Sequence, residues 1–262
     1  MSRERLHILF DDADVVAIEK PAGLPTIPAA GQHGSVLRWL GEQLGLPSKG
    51  QADPRVRPVH RLDQDTSGVL LFVKNRPAQQ AISNQFQNNL TQKRYLAIVA
   101  GVPSSESGEV DARLERKPND PHRMRVHRNG KPAVTHWKVL QRFRDFSLLE
   151  VFPKTGKTHQ IRVHLAHIGH PLAVDPLYGN KPKVVLRDDD EPQKPRPIGL
   201  YLSSIKRNYR ETGEPERPLI GRLTLHAESL ALCHPNGSDL RLQCDPPKDF
   251  RAAINQLTKF GR

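Results

Sequence analysis

Residues 60–65 of the chain place an imidazole, a guanidinium and two carboxylates within six positions. A nearly continuous apolar run, residues 69–73, follows at once and predicts a strand that is buried on both faces. A loop that enters a buried strand is held rigidly, so it can aim a side chain. Asp63 could therefore act as nucleophile, general base or metal ligand, or could simply cap a turn. Asp65 and the residues after it fit turn chemistry.

Residues 154–179 form a second cluster, which contains four histidines. His164 and His167 are three apart and can share a helix face, but no HExxH pattern and no carboxylate at ligand spacing accompany them. We therefore predict no metal. Arg162 is more informative, because its neighbours belong to an apolar stripe and a half-buried arginine needs an acidic partner. Asp63 is a candidate for that partner.

A mixed α+β fold is expected to position these residues, because strands and helices do not alternate regularly along the chain. Tyr95 opens a predicted buried strand much as Asp63 precedes one, although core packing would explain a tyrosine there equally well. Thr158 is a plausible cap for the helix that carries Arg162. Strands are predicted around the turn 11–14 and at 68–74, 94–101, 108–114, 133–143, 146–153, 222–226, 229–233 and 239–243, helices at 35–45, 76–90, 158–171 and near 250–257, and a basic loop at 115–132.

The composition indicates a polyanionic partner. Among 262 residues, 40 Lys and Arg stand against 28 Asp and Glu, a formal net charge of +12, which favours nucleic acid. The first residues lack the apolar core of a signal peptide and no apolar stretch is long enough to span a bilayer, so we expect a soluble cytoplasmic protein. We expect a single domain over 1–262, with a charged, proline-rich surface insertion at about 180–221. The two cysteines, Cys233 and Cys244, are expected to be buried free thiols.

Several ordered blocks of the sequence resemble the RluA-type pseudouridine synthases, and the likeness covers nearly the whole chain except residues 180–221. An amino-terminal S4 RNA-binding domain, which many members carry, is not expected, since strand-like sequence begins by residue 6. The blocks are "LFDDADVVAIEKPAGLPTIP", "HRLDQDTSGVLLFVK", "KRYLAIVAG", "GKTHQIRVHLAHIGHPLAVDPLYG" and "LTLHAESLALCHP".

The resemblance implies an enzyme that isomerises uridine in RNA without metal or organic cofactor. We also expect a monomer. Asp63 matches the catalytic aspartate, Tyr95 the tyrosine that stacks on the flipped base, and Arg162 the basic residue that pairs with the aspartate. Arg61 matches an arginine that, in some members, fills the gap left by the flipped nucleotide. The expected substrate-binding residues are His60, Arg61, Thr66, Thr158, His159 and Gln160, the last three because the start of a helix is a natural phosphate site.

Large-subunit ribosomal RNA is the first expected substrate, and a tRNA position is the alternative. A catalytically silent RNA-binding or ribosome-assembly protein of the same fold is a further alternative, against which the joint presence of Asp63, Tyr95 and Arg162 argues. Gln64 departs from the family, which usually has Lys or Arg after its catalytic aspartate. That departure leaves the choice of RNA open.

Overall fold

A ten-stranded mixed sheet forms the centre of the molecule. The computed structural model describes residues 5–28, 34–179, 198–210 and 215–261. Eight strands follow the order β1-β2-β4-β11-β5-β10-β9-β6, while β3 pairs with β4 and β12 with β11. Within the described residues β4 and β11 run parallel and the other pairs are antiparallel. The predicted α+β class is confirmed.

The elements follow the predicted order closely. The strands are β1 (His7–Asp11), β2 (Val15–Lys20), β3 (Arg57–Pro58), β4 (Ser67–Val73), β5 (Gln92–Ala100), β6 (Ser107–Asp111), β7 (Leu114–Lys117), β8 (Asp120–Val126), β9 (Val134–Arg142), β10 (Phe146–Pro153), β11 (Leu225–Cys233) and β12 (Asp239–Gln243). The helices are α1 (Val36–Leu44), α2 (Arg76–Gln87), α3 (Gln160–His167) and α4 (Lys248–Phe260).

Strand β4 is buried along its whole length because helices cover both of its faces. Val69 and Leu71 pack with residues of α2, whereas Leu70 and Phe72 pack with residues of α1. This explains why the strand reads as a continuous apolar run instead of alternating. The loop that carries Asp63 therefore ends in one of the most enclosed strands of the sheet.

Glycine is required where β4 begins beside β11. Gly68 has a φ of +126°, and a Cβ atom built on it would lie 2.1 Å from the carbonyl oxygen of Ala227. Ala227 lies opposite Gly68 on one side and opposite Tyr95 of β5 on the other. The end of the Asp63 loop and Tyr95 are thus separated by a single strand.

Residues 115–132, predicted as a loop, contain most of a two-stranded hairpin, β7–β8. The density of charge and the turn formers concealed it, because few apolar residues mark its strands. Its apolar positions, which include Leu114 and Met124, pack with Val163 of α3. Helix α3 is therefore enclosed between the sheet and this hairpin, and Gln160–Leu165 are all buried.

Part of the predicted surface insertion belongs to the core. Residues 180–197 and 211–214 lie outside the described residues, but Leu200, Ile205 and Ile220 are buried and pack with α4. The apolar positions are too widely spaced to be recognised among the prolines and charges. The predicted strands 222–226 and 229–233 are one strand, β11, with an irregularity between Ala227 and Ser229.

Two smaller expectations have mixed outcomes. Cys244 is buried, but Cys233 is exposed at the last position of β11. In the part of the chain that the structure describes, no helix is long and apolar enough to cross a bilayer.

Candidate active site

Asp63 lies in a loop that is fixed by a buried lysine. Lys20, the last residue of β2, is fully buried and donates hydrogen bonds from Nζ to the carbonyl oxygens of Gln64 (2.7 Å) and Thr66 (2.9 Å). Burial lowers the pKa of Lys20 to about 7, and the charges of Asp65 and Asp63 oppose that shift. The buried amine beneath the loop thus holds the loop backbone in place through these hydrogen bonds.

Thr26 and His60 fix the rest of the loop. The Thr26 hydroxyl donates to the Leu62 carbonyl at 2.9 Å, and His60 Nε2 accepts the backbone N–H of Leu71 at 2.9 Å. The His60 ring also stacks on Phe86 at a centroid distance of 4.7 Å. Burial lowers the pKa of His60 to about 3, so the ring is neutral and stays an acceptor. His60 supports the loop, and we do not propose it as an RNA contact.

Arg162 joins Asp63 to a third residue, Asp175. Its Nη1 lies 3.1 Å from Asp63 Oδ2, while its Nε and Nη2 form a bidentate pair with Asp175 at 2.8 Å each. Side-chain exposure is 7% for Arg162, 1% for Asp175 and 19% for Asp63. Burial alone would lower the pKa of Arg162, but the bonds and charge of Asp175, with Asp63, raise it instead. The guanidinium is therefore permanently charged.

Arg162 is shared unequally, and Asp63 is the less tightly bonded of its two carboxylate partners. Asp175 accepts two hydrogen bonds from Arg162 and two more from the backbone N–H groups of Leu177 and Tyr178. Asp63 receives one hydrogen bond from the same guanidinium and is the more exposed carboxylate. One guanidinium between two carboxylates leaves one negative charge unbalanced. Asp63 is the more accessible of the two carboxylates, so the unbalanced charge is exposed there.

Tyr95 lies across β11 from Gly68 and close enough to Asp63 to be affected by its charge. Burial raises the pKa of Tyr95 well above its ordinary value, and the charge of Asp63 raises it further. The phenol is therefore neutral at physiological pH. A neutral aromatic ring at the edge of the core can stack on a base, and its hydroxyl can still exchange hydrogen bonds.

His159 starts helix α3 and also faces Asp63. It has a φ of +54° and makes no side-chain capping bond, so the predicted Thr158 cap is wrong. His159 Nε2 lies 3.9 Å from Asp63 Oδ1, and its Nδ1 lies 2.8 Å from the hydroxyl of Tyr178. The left-handed backbone at His159 turns its side chain towards the carboxylate.

The other predicted substrate-binding residues divide between the surface and the core. Arg61 and Thr158 are exposed beside the loop and the start of α3, where RNA could reach them. Thr66 is buried. Gln160 is also buried and bonds the backbone of Val134 and Lys157 and the hydroxyl of Thr155, so it shapes the loop before α3.

His164 of α3 is fully engaged in hydrogen bonds. Both ring nitrogens of His164 are occupied, by the Thr135 hydroxyl and the Ala112 carbonyl, each at 2.9 Å. Within the described ranges no group of three His, Cys, Asp or Glu is placed to hold a metal ion. His164 is a hydrogen-bonded core residue.

Sequence reasoning missed two members of the site, Lys20 and Asp175. Lys20 ends an apolar strand, which is an unusual place for a lysine and was the available signal. Asp175 stands between apolar residues near the end of the second cluster. Nothing in its spacing from Arg162 indicates a bidentate pair, because the two are 13 residues apart across the end of a helix.

The chain is similar to a described protein family and to curated bacterial proteins. Residues 14–167 match the family described as RNA pseudouridylate synthase. The chain is 35% identical over 254 residues to the ribosomal large subunit pseudouridine synthase D of Haemophilus ducreyi, covering 96% of this chain and 70% of the relative. It is 39% identical over 255 residues to the protein of the same name from Nitrosomonas europaea, covering 97% of this chain and 65% of the relative.

A solved structure shows the same fold. Human RNA pseudouridylate synthase domain containing 4 superposes with a TM-score of 0.69 at 28% identity, covering 96% of this chain and 93% of that one. The fold and the likenesses define an isomerase that converts uridine in RNA to pseudouridine. The chain belongs to the RNA pseudouridylate synthase family, as its resemblance to RluA-type enzymes predicts.

Proposed function

We propose that this chain isomerises uridines in structured large-subunit ribosomal RNA, with Asp63 as the catalytic residue. The observation that carries the proposal is the Asp63–Arg162–Asp175 cluster, in which a buried guanidinium orients an accessible carboxylate near Tyr95. The family and the named activity of the two bacterial relatives support the reaction and the class of RNA.

The reaction requires the bond between ribose C1′ and uracil N1 to break and a bond between C1′ and C5 to form. The proton on C5 is lost, and N1 gains one, so no oxidant or reductant is needed. Asp63 would act on the ribose, either by attack at C1′ or by removing a sugar proton. Arg162 keeps the carboxylate ionised and oriented in both cases.

Tyr95 and Arg61 would handle the flipped base. A uridine in structured RNA must leave its stack, at a cost of a few kcal/mol. In this proposal the base stacks on the neutral Tyr95 ring, while the exposed Arg61 occupies the space it leaves and contacts phosphate. In this proposal Tyr95 would also assist removal of the C5 proton.

Basic groups around the cleft supply affinity for the RNA backbone. Lys93 donates from Nζ to the Thr155 carbonyl at 3.1 Å. Burial and the nearby charge of Lys157 lower the pKa of Lys93 to about 8. Two lysines so close would each gain from a phosphate between them. Arg116 and Lys117 of hairpin β7–β8 are exposed and extend the basic surface.

We further propose that the enzyme is a cytoplasmic monomer that uses no cofactor. The resemblance to RluA-type enzymes supports a reaction without a cofactor. The alternatives are a tRNA substrate, or an RNA-binding protein whose activity is vestigial.

Pseudouridine mapping across total RNA distinguishes these possibilities. Cells that lack the gene would be complemented with wild type or with the D63N variant. We expect one or more large-subunit positions to lose pseudouridine, to regain it with wild type, and not with D63N. Loss of pseudouridine confined to tRNA would show that tRNA is the substrate. Full restoration of pseudouridine by D63N would overturn the assignment of Asp63 as the catalytic residue.

A further inference from the structure

The hydroxyl of Tyr178 connects hairpin β7–β8 to the site. The backbone N–H of Met124, in β8, donates to this oxygen at 2.7 Å, and His159 Nδ1 lies 2.8 Å from it. Because a backbone N–H can only donate, the proton of the phenol remains available for His159. A phenol proton donated to Nδ1 places the imidazole proton on Nε2, and this is the tautomer that the proposal below requires.

That Nε2–H faces the reactive carboxylate. The two oxygens of Asp63 have different neighbours, since Oδ2 is bonded by Arg162 at 3.1 Å and Oδ1 lies 3.9 Å from His159 Nε2. The second distance is longer than a hydrogen bond, so the imidazole acts as an oriented dipole unless the cleft closes. Burial lowers the pKa of His159, against the charge of Asp63, which favours the neutral ring.

The backbone conformation of His159 and the ring contacts of Tyr178 hold this arrangement in place. A non-glycine residue with a φ near +54° is uncommon, and such conformations are retained mainly where the surroundings impose them. The Tyr178 ring lies edge-on to the His159 ring and 5.1 Å from the guanidinium carbon of Arg162. One tyrosine therefore contacts both residues that face the Asp63 carboxylate.

We propose that Tyr178 and His159 are positioning residues that link the β7–β8 hairpin to the Asp63 carboxylate. The hairpin backbone orients the Tyr178 hydroxyl, the hydroxyl sets the tautomer of His159, and His159 directs its Nε2–H at Asp63. RNA that docks on the hairpin thereby acts on the orientation of the reactive group. This inference rests on the proposed function, since it assigns a role around the same carboxylate.

The test is Y178F, which keeps the ring over Arg162 and removes only the hydroxyl. We expect the single-turnover rate at saturating RNA to fall about tenfold while the Kd for RNA stays within about twofold. H159N should have the same effect, because asparagine tolerates the left-handed conformation. The Y178F/H159N double variant should be no slower than either single variant, since the two substitutions break the same connection between the hairpin and Asp63. Y209F, a half-buried tyrosine of the 198–210 segment, is the matched control.

A spectroscopic measurement separates this proposal from the proposed function. In protein labelled with ¹⁵N at histidine, with His159 assigned by its loss in H159N, wild type should show an unprotonated Nδ1 and a protonated Nε2. Y178F should lose that preference. An unchanged rate in Y178F, a loss of affinity alone, or the opposite tautomer in wild type would overturn the inference. Inactivity of wild type on every RNA would instead overturn the proposed function.

Discussion

At the residue scale, the site depends on how one arginine is divided between two carboxylates. Asp175 takes the bidentate share of Arg162 and is almost completely buried, whereas Asp63 takes a single bond and remains accessible. A structural ion pair would be expected to satisfy both partners equally. The asymmetry is instead what a reactive carboxylate needs, since it is oriented and still open to a substrate.

R162K tests that division. Lysine keeps the charge but is a point donor, so it cannot bond Asp175 with two groups and reach Asp63 as well. We expect the single-turnover rate to fall about a hundredfold or more, with the RNA Kd little changed. R222K is the matched control, because Arg222 forms a similar bidentate pair with Asp249, at 2.7 Å for each bond. Its rate should stay near wild type, and an equal loss in both variants would contradict the assignment.

His60 gives a prediction about stability and pH. Its pKa is about 3 in the folded chain and about 6.5 when unfolded, so the unfolded state binds more protons between these values. Stability should therefore be lost as pH falls from about 6.5 to 3, by up to about 1.4 kcal/mol per pH unit from this group. Denaturant unfolding of H60N across that range should show a shallower slope, and identical slopes would refute a neutral, buried His60.

At the element scale, the sequence predicted where strands and helices lie along the chain better than it predicted which segments contact one another. Asp63 was recognisable because a polar loop directly before an apolar run is a local pattern, and it indicates a side chain held at the start of a buried strand. The roles of Lys20 and Asp175 were not recognisable, because they depend on which distant segments meet, although a lysine at the end of an apolar strand was a signal for Lys20. Hairpin β7–β8 was missed for a related reason, since its apolar side is defined only by α3 lying against it.

Strands β4 and β11 approach closely at Gly68, and the G68A variant tests how much stability depends on that close approach. The added Cβ would overlap the backbone of Ala227, so β4 and β11 must separate, and the Asp63 loop must move with them. We expect a loss of about 2–4 kcal/mol in unfolding free energy and a large loss of activity. The control G50A has a similarly positive φ, of +81°, but open space around it, and should cost only about 1 kcal/mol. Equal costs would mean that backbone strain alone requires Gly68.

At the scale of the whole molecule, the excess of positive charge should govern RNA binding. Phosphate contacts release counterions, so affinity should fall steeply with salt, and each lost contact should reduce the slope of log K against log salt by about 0.7–0.9. The double variant R116Q/K117Q on hairpin β7–β8 should therefore have a shallower slope than wild type. R251Q/K259Q removes two exposed charges from α4 and should keep the wild-type slope. A flat salt dependence in wild type would contradict the role given to the basic surface.

The most direct test of the whole account follows the C5 hydrogen of uridine. Forming the C5–C1′ bond must release that hydrogen, so large-subunit ribosomal RNA transcribed with [5-³H]uridine should release tritium to water when the enzyme acts. We predict release by wild type in proportion to pseudouridine formed, and release by D63N at the level of RNA alone, although D63N should still bind the RNA. Tritium release by D63N at the wild-type rate would contradict the central role of Asp63.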